Sequence, residues 1–161
     1  MTAIRNHILG VDGVKALHHL RTRRTGSQAL VDVHILVDGT VSVSEGHHIS
    51  EKVRTRLLAE FDSITDVLVH IDPEDDQTEW TNAGLPLRHE LLERLQQRLA
   101  HVAEAREIKA VTLHYLGGRV QVEILLPLTA LKGGGAAELR RRFEEAIGGE
   151  PAISRLEIYF V

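Results

Sequence analysis

The sequence contains no cysteine. Disulfides, thiolate nucleophiles and Cys-type zinc sites are therefore excluded, and any metal would have to be held by imidazole or carboxylate. Aromatic residues are scarce, with three Phe, two Tyr and one Trp, so no platform for stacking nucleic-acid bases is visible. Neither sign of charge dominates: nineteen Lys and Arg against twenty-three Asp and Glu leave a net charge of −4 with the histidines neutral. That balance gives no footprint for nucleic acid or an anionic membrane. No window approaches the ~20 consecutive apolar residues of a spanning helix, and the first residues lack the apolar core of a signal peptide, so the chain is expected to be soluble. An H-E-x-x-H run and a G-x-S-x-G elbow are also missing, and Gly133-Gly134-Gly135 lacks the Lys and Ser/Thr that would follow in a P-loop. These absences count against an enzyme.

Histidine, by contrast, is abundant. Seven of ten, His7, His18, His19, His34, His47, His48 and His70, fall in the first seventy residues. The polar, acidic run between Pro73 and Pro86 reads as a linker, which divides the chain into 1–73, a linker over 74–85, and 86–161. In the first part a short apolar segment, Ile4 to Val11, precedes strand-like Leu17 to Arg23, a turn at Thr25-Gly26-Ser27 and strand-like Ala29 to Val37. Ser42 and Glu45 then have the spacing of a capping box, ahead of Ile49, Val53 and Leu57 at helical spacing, and Ile64 to Ile71 alternates like a strand.

The second part repeats that order. Pro86 stands at a helix start, with Leu87, Leu91, Leu92, Leu95, Leu99 and Val102 as its apolar positions, and Gly117-Gly118 marks a tight hairpin. Leu113-His114-Tyr115-Leu116 echoes Leu17-His18-His19-Leu20, and thirty-three residues separate both Val31 from Ile64 and Val120 from Ile153. The expected fold is α+β, a ferredoxin-like two-layer sandwich of order α-β-β-α-β duplicated in tandem.

Strand alternation predicts where the histidines point. Val31, Val33, Ile35 and Val37 form a core row with Asp32 and His34 opposite, and His70 and Asp72 share the face opposite Val67, Val69 and Ile71. In the preceding strand His18 goes with Leu20 and Thr22, and His19 with Leu17 and Arg21, so only one of the two can join a given site. His47 and His48 fall in the opening turns of the capped helix, where the macrodipole favours the neutral imidazole that binds metal. His18, His34, His47 or His48, His70 and Asp72 thus converge from three strands and one helix, as metal ligands without a local motif do. His89 and His101 sit on a charged helix face and read as solvent-exposed.

The stretches Gly13-Val14, His18-His19-Leu20-Arg21-Thr22-Arg23, Gly26, Val31-Asp32-Val33-His34, Glu45-Gly46-His47 and Val69-His70-Ile71-Asp72-Pro73 resemble the carboxy-terminal domain of the cation diffusion facilitator family over about the first seventy-three residues. The resemblance implies a cytoplasmic domain below transmembrane helices that forms a homodimer and binds divalent metal at or near the interface. By position it implies ligand roles for His18, His34, His47, His70 and Asp72, with Asp72 a carboxylate bridging two ions, and His19 and His48 beside the matched places. It leaves His7 without a role. The family's membrane domain is absent from the sequence, so the chain is read as an excised fragment, attached to the membrane through the rest of its transporter, or as a stand-alone relative. In the second unit, equal spacing makes Glu123, Ala136, Ala137 and Tyr159 the counterparts of His34, His47, His48 and His70, so that half is read as structural.

The leading expectation is a metal sensor in which occupancy shifts a two-state dimer. Imidazole without thiolate suits zinc first, then cobalt, nickel or copper, over magnesium and calcium. The alternatives are a metal-independent interaction module and a zinc-dependent hydrolase, the latter lacking an acid or base partner.

Overall fold

The computed structural model describes residues 2–75, 82–131 and 135–161. The chain divides into two compact units, Met1–Glu79 and Trp80–Val161. Residues 76–81 of the expected linker, and Gly133 and Gly134, lie outside the described residues.

The first unit runs α1 (Thr2–Leu9), β1 (Ala16–Thr25), β2 (Gln28–Leu36), α2 (Val43–Glu60) and β3 (Ile64–Asp72). β1 and β2 form an antiparallel hairpin turned at Gly26, whose φ is +64°, and β3 pairs with β2 in parallel after the α2 crossover. The capping box forms on its serine side: Ser42 Oγ accepts from the Glu45 backbone N–H at 3.1 Å, satisfying a donor at the start of α2. Val31, Val33 and Ile35 pack with Ile8, Val53 and Leu57 as a fully buried core. Burying each such side chain contributes ~1.5–3 kcal/mol. Gly13, at φ +89°, lies against this core so closely that a Cβ there would come within 2.6 Å of Ile49 Cδ1. His7 packs edge-on against Phe61, with ring centroids 5.2 Å apart.

The second unit runs α3 (Arg88–Arg98), β4 (Ala110–Leu116), β5 (Arg119–Leu126), α4 (Gly135–Ile147) and β6 (Ile153–Phe160). Its sheet has the same order, β4-β5-β6, with one antiparallel and one parallel pairing. Gly117 and Gly118 both have positive φ, +62° and +70°, the backbone that a two-residue hairpin of matching twist requires. Asn82 is fixed to this hairpin, accepting from the Gly118 N–H and donating to the Tyr115 carbonyl at 3.2 and 3.1 Å. Phe143 and Leu91 fill the core beneath Val120, Val122, Ile124 and Leu126.

The helix expected through Val102 is shorter in the structure. α3 stops at Arg98, and the chain continues as 3-10 turns over Leu99–His101 and Ala103–Glu107. Leu99 and Val102 are buried all the same. The two units are therefore tandem α-β-β-α-β sandwiches, the fold class expected from the pattern.

Candidate metal centre

In the first unit the parallel register sets His34 directly across from His70, and Asp32 across from Leu68. Asp32 and His34 are two apart on β2, so they share the face opposite the core row. One donor atom each from Asp32, His34 and His70 lies within 4.8 Å of the others, a grouping able to hold a metal ion. The His34 and His70 rings stack with centroids 4.3 Å apart and planes 12° from parallel. His70 Nε2 stands 3.3 Å from Asp32 Oδ1, while that oxygen is shielded from solvent and accepts no well-aligned hydrogen bond. His34 Nδ1–H donates to Asp72 Oδ2 at 3.1 Å, leaving Nε2 as the free lone pair of that ring.

The two histidines of β1 part company in a way that simple alternation did not foresee. A β-bulge lies between Leu17 and His19: Leu17 pairs with Ile35, but His19 pairs with His34 and Leu20 with Val33. The extra residue is His18, so Leu17 and Leu20 both serve the core. The structure thus corrects the alternation reading, which grouped His19 with Leu17. His19 sits beside the cluster, its ring centroid 5.8 Å from that of His34, and its Nε2 is buried without a hydrogen bond. His18 is turned away, 7% exposed, with Nδ1 3.1 Å from Asp75 Oδ1.

His47 and His48 are exposed on the first turns of α2 and are not among the grouped donor atoms. The sequence pattern places Asp32 on this face with His34, although Asp32 is not among the candidate ligands named from it. The signal was available, because a D-x-H pair in a strand presents both side chains to one side. In the second unit His89 is 84% exposed beside Glu93.

The second sheet differs in register as well as in composition. Ile64 pairs with Ala29, whereas Ile153 pairs with Val120. The equal spacing of thirty-three residues therefore conceals a shift of two between the sheets. Opposite Tyr159 stands Leu125, not Glu123, so the His34/His70 pair has the counterpart Leu125/Tyr159, and Glu123 takes the place of Asp32. His114 is paired with Gln121, where the first sheet pairs Arg23 with Leu30, and is not the equivalent of His18 or His19. It lies 3.5 Å from Glu123, through Nε2.

Residues 1–74 match the family described as cation efflux protein, cytoplasmic domain. Metal tolerance protein C1 of Arabidopsis thaliana is 30% identical over 168 residues, which cover 96% of this chain and 36% of that protein. Metal tolerance protein 2 of Oryza sativa subsp. japonica is 43% identical over 68 residues, 42% of this chain and 18% of that protein. Among solved structures, the manganese form of a MamM CTD variant is 29% identical, covering 45% of this chain and 92% of its own, with a TM-score of 0.44. The chain thus spans about a third or less of the length of these curated relatives, and the Arabidopsis match extends over both units. No helix among the described residues is long and apolar enough to cross a membrane.

Proposed function

Residues 1–74 belong to the family of cytoplasmic domains of cation efflux proteins, and on that premise we propose that this chain senses a divalent transition metal for a metal-efflux protein. The observation that carries the reading is the grouping of Asp32, His34 and His70 donors within 4.8 Å on one sheet face. Two imidazoles and one carboxylate suit zinc, cobalt, nickel or copper, and zinc is the first choice. The buried, unbonded Asp32 Oδ1 and His19 Nε2 support the fit, since a buried polar atom without a partner costs free energy that a bound cation would offset. Asp72, hydrogen-bonded to His34 Nδ1, fits the carboxylate that orients a histidine ligand. This gives Asp72 a supporting role and makes Asp32 the direct oxygen donor. His19 replaces His18 as the neighbouring imidazole, and His47 and His48 contribute only through a rearrangement of α2 or a second copy.

Three donors leave a tetrahedral ion with a position to fill. A second copy of the chain is the proposed source, consistent with the cluster's place on an open face beside Leu68, which is 56% exposed. Metal would then favour the paired arrangement by the ligands it gains there. Calorimetric titration of the metal-stripped chain with zinc, with light scattering at each point, tests this. Saturable binding with a rise in mass is the expected result. Binding that survives His34→Ala with His70→Ala would remove the proposed site, and binding without a change of mass would remove the shared one.

A further inference from the structure

The second unit contains a cavity of about 380 Å3 between α3, the two 3-10 turns that follow it, and the sheet. We infer that it is a binding site for a small amphipathic monoanion, with a medium-length acyl or aromatic body and one carboxylate. Its floor is apolar and shielded from water, with Leu95, Leu99 and Ile124 at 3, 4 and 1% exposure. Its rim carries Ala100 and Arg106, so one small side chain leaves the opening unfilled and one cation borders it. The volume is at the small end of the ~300–1,000 Å3 typical of ligand pockets, which are likewise apolar with few polar groups.

Charge selects the class of ligand. Arg106 makes no hydrogen bond or ion pair among the described residues, whereas the carboxylates around it are engaged. Glu104 accepts from Arg142 at 2.9 Å, and Glu107 from the Thr129 hydroxyl at 3.4 Å. An uncommitted guanidinium at the mouth of an apolar cavity complements a carboxylate head above an apolar tail. Ala100 and Arg106 stand on the 3-10 turns, whose hydrogen bonds are poorer than those of an α-helix, and exposed Gln96 of α3 completes the rim. By contrast, a wider cleft of the first unit, about 860 Å3 between the end of α1 and α2, is lined by Asp12, Glu45, Lys52 and Arg56, charges of both signs that keep it solvated.

The test is methyl NMR of the full chain titrated with octanoate and, separately, with 1-octanol, both below the concentration at which they aggregate. Saturable one-to-one shifts of the Leu95, Leu99, Ile108 and Ile124 methyls are expected. Arg106→Gln should weaken octanoate about tenfold, the loss of one charge-assisted contact, and leave octanol unchanged. Ala100→Trp, at an exposed rim position, should abolish both. Shifts that never saturate, or that spread equally into Val33 and Ile35 of the other core, overturn the site. Equal octanoate affinity in Arg106→Gln overturns the anionic class. The titration of the unsubstituted chain stands without either variant.

Discussion

His34 and His70 lie side by side on parallel strands with their rings stacked at 4.3 Å. Two imidazoles in that arrangement can face one cation only while both are neutral, and Asp32 supplies the oxygen beside them.

Replacing His70 and Asp72 together by alanine should lower zinc affinity without unfolding the chain. Neither side chain belongs to the buried core. Loss of a direct ligand should exceed the ~10–100-fold that loss of an outer-shell partner costs, so Asp72→Ala alone should fall in that range and His70→Ala beyond it. Calorimetry with far-UV dichroism checks both, and collapse of the dichroism would contradict the outward placement.

His19→Ala should weaken zinc binding more than His18→Ala. The bulge sets His19 against His34 and hands His18 to Asp75. The loss of His18 should instead release the Asp75 carboxylate from its imidazole partner, read as a change in the backbone amide signals of Asp72, Glu74 and Asp75. The reverse order in the titrations would mean that metal pulls the bulge through to a different register.

His114→Ala should leave zinc stoichiometry and affinity unchanged, because its only close carboxylate is Glu123 and no third donor joins them among the described residues. A lost equivalent in the titration would reveal a second centre.

Glu104 links acidity to the stability of the second unit. Hydrogen bonding from Arg142 holds its carboxyl below the ordinary carboxylate range. A folded-state value below the unfolded one contributes stability above the unfolded value, and that contribution disappears as the pH falls through the folded one. Urea midpoints of the parent and Glu104→Gln should therefore differ above about pH 5 and converge in acid. A constant gap down to acid would indicate a packing effect. Asp38, held down by hydrogen bonds from Lys15 and then Thr40, is half-exposed, and the ionic part of its pairing with Lys15 should weaken with added salt.

Gly13→Ala should destabilise the first unit by about 1–3 kcal/mol. The methyl would need a left-handed backbone at φ +89° and would overlap Ile49. Thermal or urea unfolding of the variant measures this, and an unchanged midpoint would mean that the loop after α1 relaxes freely.

Much of the fold was legible because its signals are local. Ser42 and Glu45 announce α2, Gly117-Gly118 dictates the tight hairpin, and Val31-Val33-Ile35 alternates as a half-buried strand must. Three features escaped for definable reasons. The 3-10 turns after Arg98 keep Leu99 and Val102 on the core side at a spacing of three, which a helical pattern also produces. The bulge at His18 breaks a period of two, and the pattern Leu17, Leu20 carries no mark of the extra residue. The shift in the second sheet is by two residues, which preserves which side chains face inward, so a pattern of period two cannot register it.

That shift decides how a copy of the centre could be engineered into the second unit. Sequence spacing would direct histidines to 123 and 159, yet the backbone faces 159 with Leu125 and already presents an acid, Glu123, where the first sheet has Asp32. Leu125→His with Tyr159→His would therefore complete the trio, whereas Glu123→His would discard the carboxylate that already stands in the place of Asp32.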